Sequence, residues 1–219
     1  MTSVFTSDLH HHVRSSLDET KEKEAGGELS RPEEGPVKVQ ENVGGRTAAI
    51  EIPDSYRNAF HTHPVPCDDN EGLQCGIPTP SLDDMEQFLR ALERGRVFCS
   101  HTIFSRHGTF VVYHNAVERH KLHAQLEADG VSFAQWFEEN KKVLRRFISR
   151  LENKLFSNGA RVMHPERYAK LWIRCVDPTR NCPEEHRSSK VKKLLGLFEI
   201  EYFAPGDTHS LRFCPRQSV

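Results

Sequence analysis

No stretch of this sequence stays apolar for the roughly 20 residues that a bilayer-spanning helix requires, so no such helix is expected. Its first residues, "MTSVFTSDLHHHV", lack the cationic start and apolar run of a secretory signal. An excess of one charge is missing too. Thirty basic residues stand against 31 acidic ones, for a formal net charge of -1. That balance supplies no bulk attraction to nucleic acid or to a membrane surface, and neither is expected as a partner. No Cys-x-x-Cys pair occurs among Cys67, Cys75, Cys99, Cys175, Cys182 and Cys214, which argues against a structural zinc site built on thiolates. From these absences a soluble, cytoplasmic protein is expected, with thiols free and largely reduced. No internal repeat is visible, and 219 residues suit one domain with a small appendage.

What is present is a mixture of helical and strand-like patterns. Residues 8–23 read as a helix, with Leu9, Val13 and Leu17 on one face. Residues 24–53 carry short β-prone runs broken by Gly-Gly and Pro, the pattern of a strand meander. "YRNAFHTH" ends a strand at His63, and residues 64–80, with four prolines and two glycines, form a loop. "SLDDMEQFLRALERG" is a helix capped by Ser81 and stopped by Gly95. "VFCSHTIFS" and "TFVVYH" are two strands joined at His107-Gly108. Helices are expected over 116–128 and about 132–156. Further on, "RYAKLWIRCV" fits helix or strand, "SSKVKKLLG" fits a helix and "LFEIEYF" fits a strand.

Chemistry first surfaces in "AFHTHPVP", where His61 and His63 stand two positions apart before Pro64. To share a metal, the two imidazoles are expected to need a strand that ends or bends, and Pro64 supplies such an end. A hydrolytic zinc site uses three protein ligands and keeps a fourth position for water. The nearest third donor is Asp84 in "PSLDDM", three residues after Ser81. That Ser-x-x-Asp spacing is also a capping box, and an acid in the first turn suits the helix dipole. The two readings are compatible, because a cap fixes the turn from which a carboxylate ligand would project. A carboxylate base has two candidates, Glu24 in "EAGGEL" and Glu51 in "AAIEIP".

In order, Glu-x-Gly-Gly-x-Leu, His-x-His-Pro and Pro-Ser-x-x-Asp resemble the motif of the JAMM (JAB/MPN+) zinc metalloproteases, known from deubiquitinating isopeptidases and their bacterial and viral relatives. The resemblance covers about residues 8–114. It implies an α/β fold of mixed, α+β type: a curved, mainly antiparallel sheet flanked by helices, as in the cytidine-deaminase-like JAB/MPN fold. It further implies a core over residues 1–130, with residues 131–219 an extension packed on it. By the same resemblance His61, His63 and Asp84 would hold one zinc ion per chain, with water as fourth ligand. Glu24 would accept that water's proton and return it to the leaving amine, and Ser81 would hydrogen-bond the oxyanion. The implied substrate is a protein, such as ubiquitin or a ubiquitin-like conjugate, cut at a peptide or isopeptide bond.

Two features depart from the family pattern. Seventeen residues, 64–80, separate His63 from Ser81, where the family segment is short. The stretch 24–29 also carries Glu28, more polar than a buried strand requires. Against the hydrolase stand a non-catalytic scaffold of the same fold and a zinc amidase for small amides. The Asp8-x-His10-x-His12 run resembles the metal motif of amidohydrolases, but that fold takes about 250 residues. Helical periodicity across 8–23 makes it a polar helix start instead.

Overall fold

Asn58–His63 is an extended segment in which all six side chains are buried. The backbone N–H and C=O groups of a buried strand need partners along both edges, and in this computed structural model neighbouring strands supply them. The structure describes residues 2–5, 25–30, 38–44, 57–63, 77–93, 100–157, 160–161, 163–182, 187–207 and 209–212. Glu24, Glu51, the expected helix over 8–23 and most of the 64–80 loop lie outside the described residues.

The described strands are β1 (Thr2–Phe5), β2 (Ala25–Ser30), β3 (Lys38–Gly44), β4 (Asn58–His63), β5 (Ser100–Ser105), β6 (Gly108–His114), β7 (Phe156–Ser157), β8 (Ala160–Arg161), β9 (Phe198–Phe203) and β10 (His209–Arg212). The described helices are α1 (Leu82–Ala91), α2 (Ala116–Asp129), α3 (Phe133–Leu155), α4 (Pro165–Val176) and α5 (Ser189–Leu195). The main sheet has six strands in the order β3-β2-β4-β5-β6-β9. Its β2–β3, β2–β4 and β5–β6 pairs are antiparallel, whereas β4 and β5 run parallel. The fold is thus mixed α/β with a mainly antiparallel sheet, and the C-terminal strand β9 completes it at the β6 edge.

The chain divides into two compact units, residues 1–79 with 98–112 and 201–219, and residues 80–97 with 113–200. In the first unit, Gly26 and Gly27 straddle a bulge against β3, while Gly26 pairs with His61 across β2–β4. A bulge there bends the strand locally without breaking its pairing to β4. Glu28, the polar residue of this strand, accepts a hydrogen bond from the Arg57 backbone at 3.1 Å, so its carboxylate serves the sheet. Gly108 opens β6 with φ +137°, and a Cβ there would stand 2.3 Å from the Tyr202 ring, so only glycine fits.

The second unit is helical. Along α3, Phe137, Leu144, Phe147, Ile148, Leu151 and Leu155 are buried at spacings of three, four and seven. That stripe is the core-facing side of an amphipathic helix. The ambiguous segment "RYAKLWIRCV" is helical, with Pro165 in the first turn and Tyr168, Trp172 and Cys175 buried along one side.

One expectation is overturned. Among the described residues both cysteines, Cys175 and Cys182, are joined in a disulfide. The chain turns back directly after α4, as Asp177 accepts hydrogen bonds from the Thr179 backbone, the Thr179 hydroxyl and Arg180. That turn brings the two Cα atoms to 4.4 Å, within bonding range. Local geometry here prevails over the general rule that thiols in a reducing compartment stay free. No helix of the described residues is long and apolar enough to cross a membrane.

Candidate metal centre

His61 and His63 are two residues apart on a regular strand, and β-strand alternation has a period of two. Both therefore project from the same face of β4 without any bend, contrary to the expectation that the strand must end or kink to bring them together. Their rings lie 4.8 Å apart between centroids, and the two Nε2 atoms are 2.9 Å apart. Each residue is at most 6% exposed.

The His63 ring is oriented by its other nitrogen. Nδ1 lies 2.9 Å from the carbonyl oxygen of Ile77. A carbonyl only accepts, so neutral His63 carries its proton on Nδ1 and turns the lone pair of Nε2 toward His61. On the far side of His61, Nδ1 lies 2.7 Å from Nε2 of His101. His101 stands on β5, on the same face of the parallel β4–β5 pair as His61 and is itself 6% exposed. Three buried imidazoles thus form a chain that ends on a backbone carbonyl.

Ser81 and Asp84 are set by α1. Ser81 is its N-cap, and its hydroxyl accepts from the Asp84 amide at 3.2 Å. In return, both the Ser81 amide and the Ser81 hydroxyl donate to Asp84 Oδ2, each at 2.7 Å. The expected capping box is present. It also commits the Ser81 hydroxyl proton to the carboxylate. Glu152 of α3 completes this helix start by accepting from the Leu82 amide at 3.0 Å. Burial raises the Glu152 pKa above the ordinary carboxylate range, the Leu82 hydrogen bond opposes this, and Asp83 and Asp84 add to the rise.

His61, His63 and Asp84 each offer one ligand atom, and these three atoms all lie within 4.8 Å of one another. Among the described residues no other cluster of His, Cys, Asp or Glu has this form. No family model, curated protein or solved structure matches this chain. The group must be judged on its own chemistry.

Two imidazole nitrogens and a carboxylate oxygen are a donor set that suits zinc in a hydrolytic site. Tetrahedral zinc with nitrogens at about 2.0–2.1 Å would hold them ~3.3 Å apart, so the observed 2.9 Å asks for a small opening of the pair. His61, His63 and Asp84 therefore form a group able to bind a metal ion. Of the other site residues read from sequence, Ser81 is described and lies beside Asp84, whereas Glu24 and Glu51 lie outside the described residues. His101 was missed. The signal that finds it is the parallel pairing of β4 with β5, which no local pattern in "SHTIFS" announces.

Proposed function

We propose that this chain is a zinc-dependent hydrolase of peptide or isopeptide bonds, with the JAB/MPN fold and the JAMM arrangement of ligands. The observation that carries the reading is the group of His61, His63 and Asp84, with ligand atoms mutually within 4.8 Å and both histidines buried. Two enclosed imidazoles with their Nε2 atoms 2.9 Å apart share either a proton in a hydrogen bond or a cation between them. Bound zinc would supply Lewis-acid polarisation of the scissile carbonyl and make a water nucleophilic near neutral pH.

The chain's own residues would do the rest. Glu24 would accept the proton of the attacking water and deliver it to the leaving amine. Its position in the chain, immediately before the strand whose Gly26 pairs with His61, supports it over Glu51. Ser81 would turn its hydroxyl from Asp84 Oδ2 toward the developing oxyanion. A protein conjugate such as a ubiquitin-like chain is the substrate class the family resemblance favours.

The test is zinc content together with hydrolysis. The purified full chain is expected to hold about one zinc, and Glu24→Gln is expected to keep the zinc while losing cleavage of ubiquitin-chain substrates. Protein that neither contains nor takes up zinc would instead be a scaffold of this fold. Zinc-loaded protein that cleaves only small amides would narrow the substrate to that class. Unchanged cleavage in Glu24→Gln would move the base to another carboxylate, with Glu51→Gln the next variant.

A further inference from the structure

We propose that His101 is a positioning residue that sets which nitrogen of His61 faces the metal, and that zinc uptake reverses the hydrogen bond between the two rings. The inference rests on the zinc reading above. Its basis is the donor and acceptor count along the buried chain His101–His61–His63–Ile77.

The Ile77 carbonyl fixes the direction at one end. His63 donates from Nδ1 to that oxygen, so its Nε2 is an acceptor. With no cation present, His61 fills the 2.9 Å contact by donating from Nε2 to His63 Nε2. Neutral His61 then has a lone pair on Nδ1, and His101 donates to it from Nε2 across 2.7 Å. Each of these three contacts then pairs one donor with one acceptor.

Zinc demands a different arrangement. To be ligands, His61 and His63 must both turn Nε2 lone pairs to the metal, so His61 must carry its proton on Nδ1. That proton needs an acceptor in a buried place, and Nε2 of His101 lies 2.7 Å from Nδ1. His101 must therefore move its own proton to Nδ1. No net proton is gained or lost by His61 and His101; each changes tautomer. His63 uses a backbone carbonyl, a fixed acceptor, but His61 relies on a side chain that either donates or accepts. His101 thus lets one geometry serve both the metal-free and the metal-loaded state. A partner at the outer nitrogen of a ligating histidine typically governs ~10–100-fold in metal affinity.

The experiment uses the full-length chain and zinc alone, with affinity read by chelator competition and tautomers read by ¹⁵N imidazole spectra. His101→Leu is expected to weaken zinc binding ~10–100-fold. His101→Gln, whose amide oxygen accepts from His61 Nδ1, is expected to recover most of that loss. A merely space-filling role would give the opposite ranking, since leucine fills a buried apolar site better than glutamine. In unsubstituted protein, zinc is expected to move the His61 proton from Nε2 to Nδ1 and the His101 proton from Nε2 to Nδ1. That spectral arm requires no variant to fold. Zinc binding in His101→Leu within twofold of the unsubstituted chain, or a His61 tautomer unchanged by zinc, overturns the role of His101 alone. Failure of the unsubstituted chain to take up zinc overturns the metal reading, and this inference with it.

Discussion

Ser81 and Asp84 grip each other from both ends: the Asp84 amide donates to the Ser81 hydroxyl, and the Ser81 amide and hydroxyl both donate to Asp84 Oδ2. One carboxylate therefore closes a helix cap and belongs to the metal-ligand group. These two duties separate by mutation. Asp84→Asn keeps an oxygen that accepts from Ser81, so stability should stay within about 0.5 kcal/mol. Zinc affinity should fall by more than ~100-fold, beyond what loss of an outer partner costs. Ser81→Ala should cost about 1 kcal/mol by removing the cap. Urea denaturation and chelator competition on both variants check the pair, and Asp84→Asn with undiminished zinc affinity would remove Asp84 from the ligand set.

His114 sets a pH limit on the helical unit. Burial, its largest influence, pulls its pKa from 6.5 down to about 4; its bond to the Phe88 carbonyl opposes the shift and nearby Arg119 reinforces it. The folded chain thus disfavours imidazolium. Above pH 6.5 the residue is neutral whether folded or unfolded, and its contribution is fully present. Between pH 6.5 and 4 the unfolded chain takes up a proton that the folded chain refuses, so stability falls as pH falls, by about 3 kcal/mol in total. His114→Gln retains a donor for the Phe88 carbonyl and has no such titration. Unfolding free energies measured from pH 7.5 to 4 should converge for the two proteins as pH drops; parallel curves would assign the acid sensitivity elsewhere.

The Cys175–Cys182 disulfide spans seven positions, and closing so short a loop restricts the unfolded chain by about 2–3 kcal/mol. Cys175→Ala with Cys182→Ala, or reduction by a phosphine, should lower stability by that amount. Arg187 also holds this turn, donating to the carbonyls of Cys175, Asp177 and Arg180. The turn should therefore survive reduction, with its amides still protected from hydrogen exchange while global stability drops. A urea midpoint indifferent to reductant would count against a stabilising bond.

Local features of the fold were legible in the sequence because their causes are local. Ser81 and Asp84 announce the start of α1 through a four-residue pattern, and Pro64 directly follows the last residue of β4. The apolar run in α4 was ambiguous because Leu171, Trp172 and Ile173 are consecutive and suit a buried strand as well. Helical burial of Tyr168, Trp172 and Cys175 emerges only when neighbours cover that side. The place of His101 depends on the parallel union of β4 and β5, whose residues are about forty positions apart. The paired cysteines escaped notice for the opposite reason, since a general rule about compartments overshadowed a turn joining positions seven apart.

The hydrogen bond from His63 Nδ1 to the Ile77 carbonyl has an architectural meaning beyond ring orientation. It ties the last residue of β4 to the far end of the chain that follows it, and Ser105 donates to the neighbouring Pro78 carbonyl at 3.0 Å. The intervening stretch is thereby clasped at its stem. A clasped stem makes the contents of a loop a replaceable cassette, because lengthening it by a factor of two adds only about 0.6 kcal/mol of closure entropy. The number and identity of the residues between His63 and Ile77 can therefore vary while the histidine pair keeps its geometry.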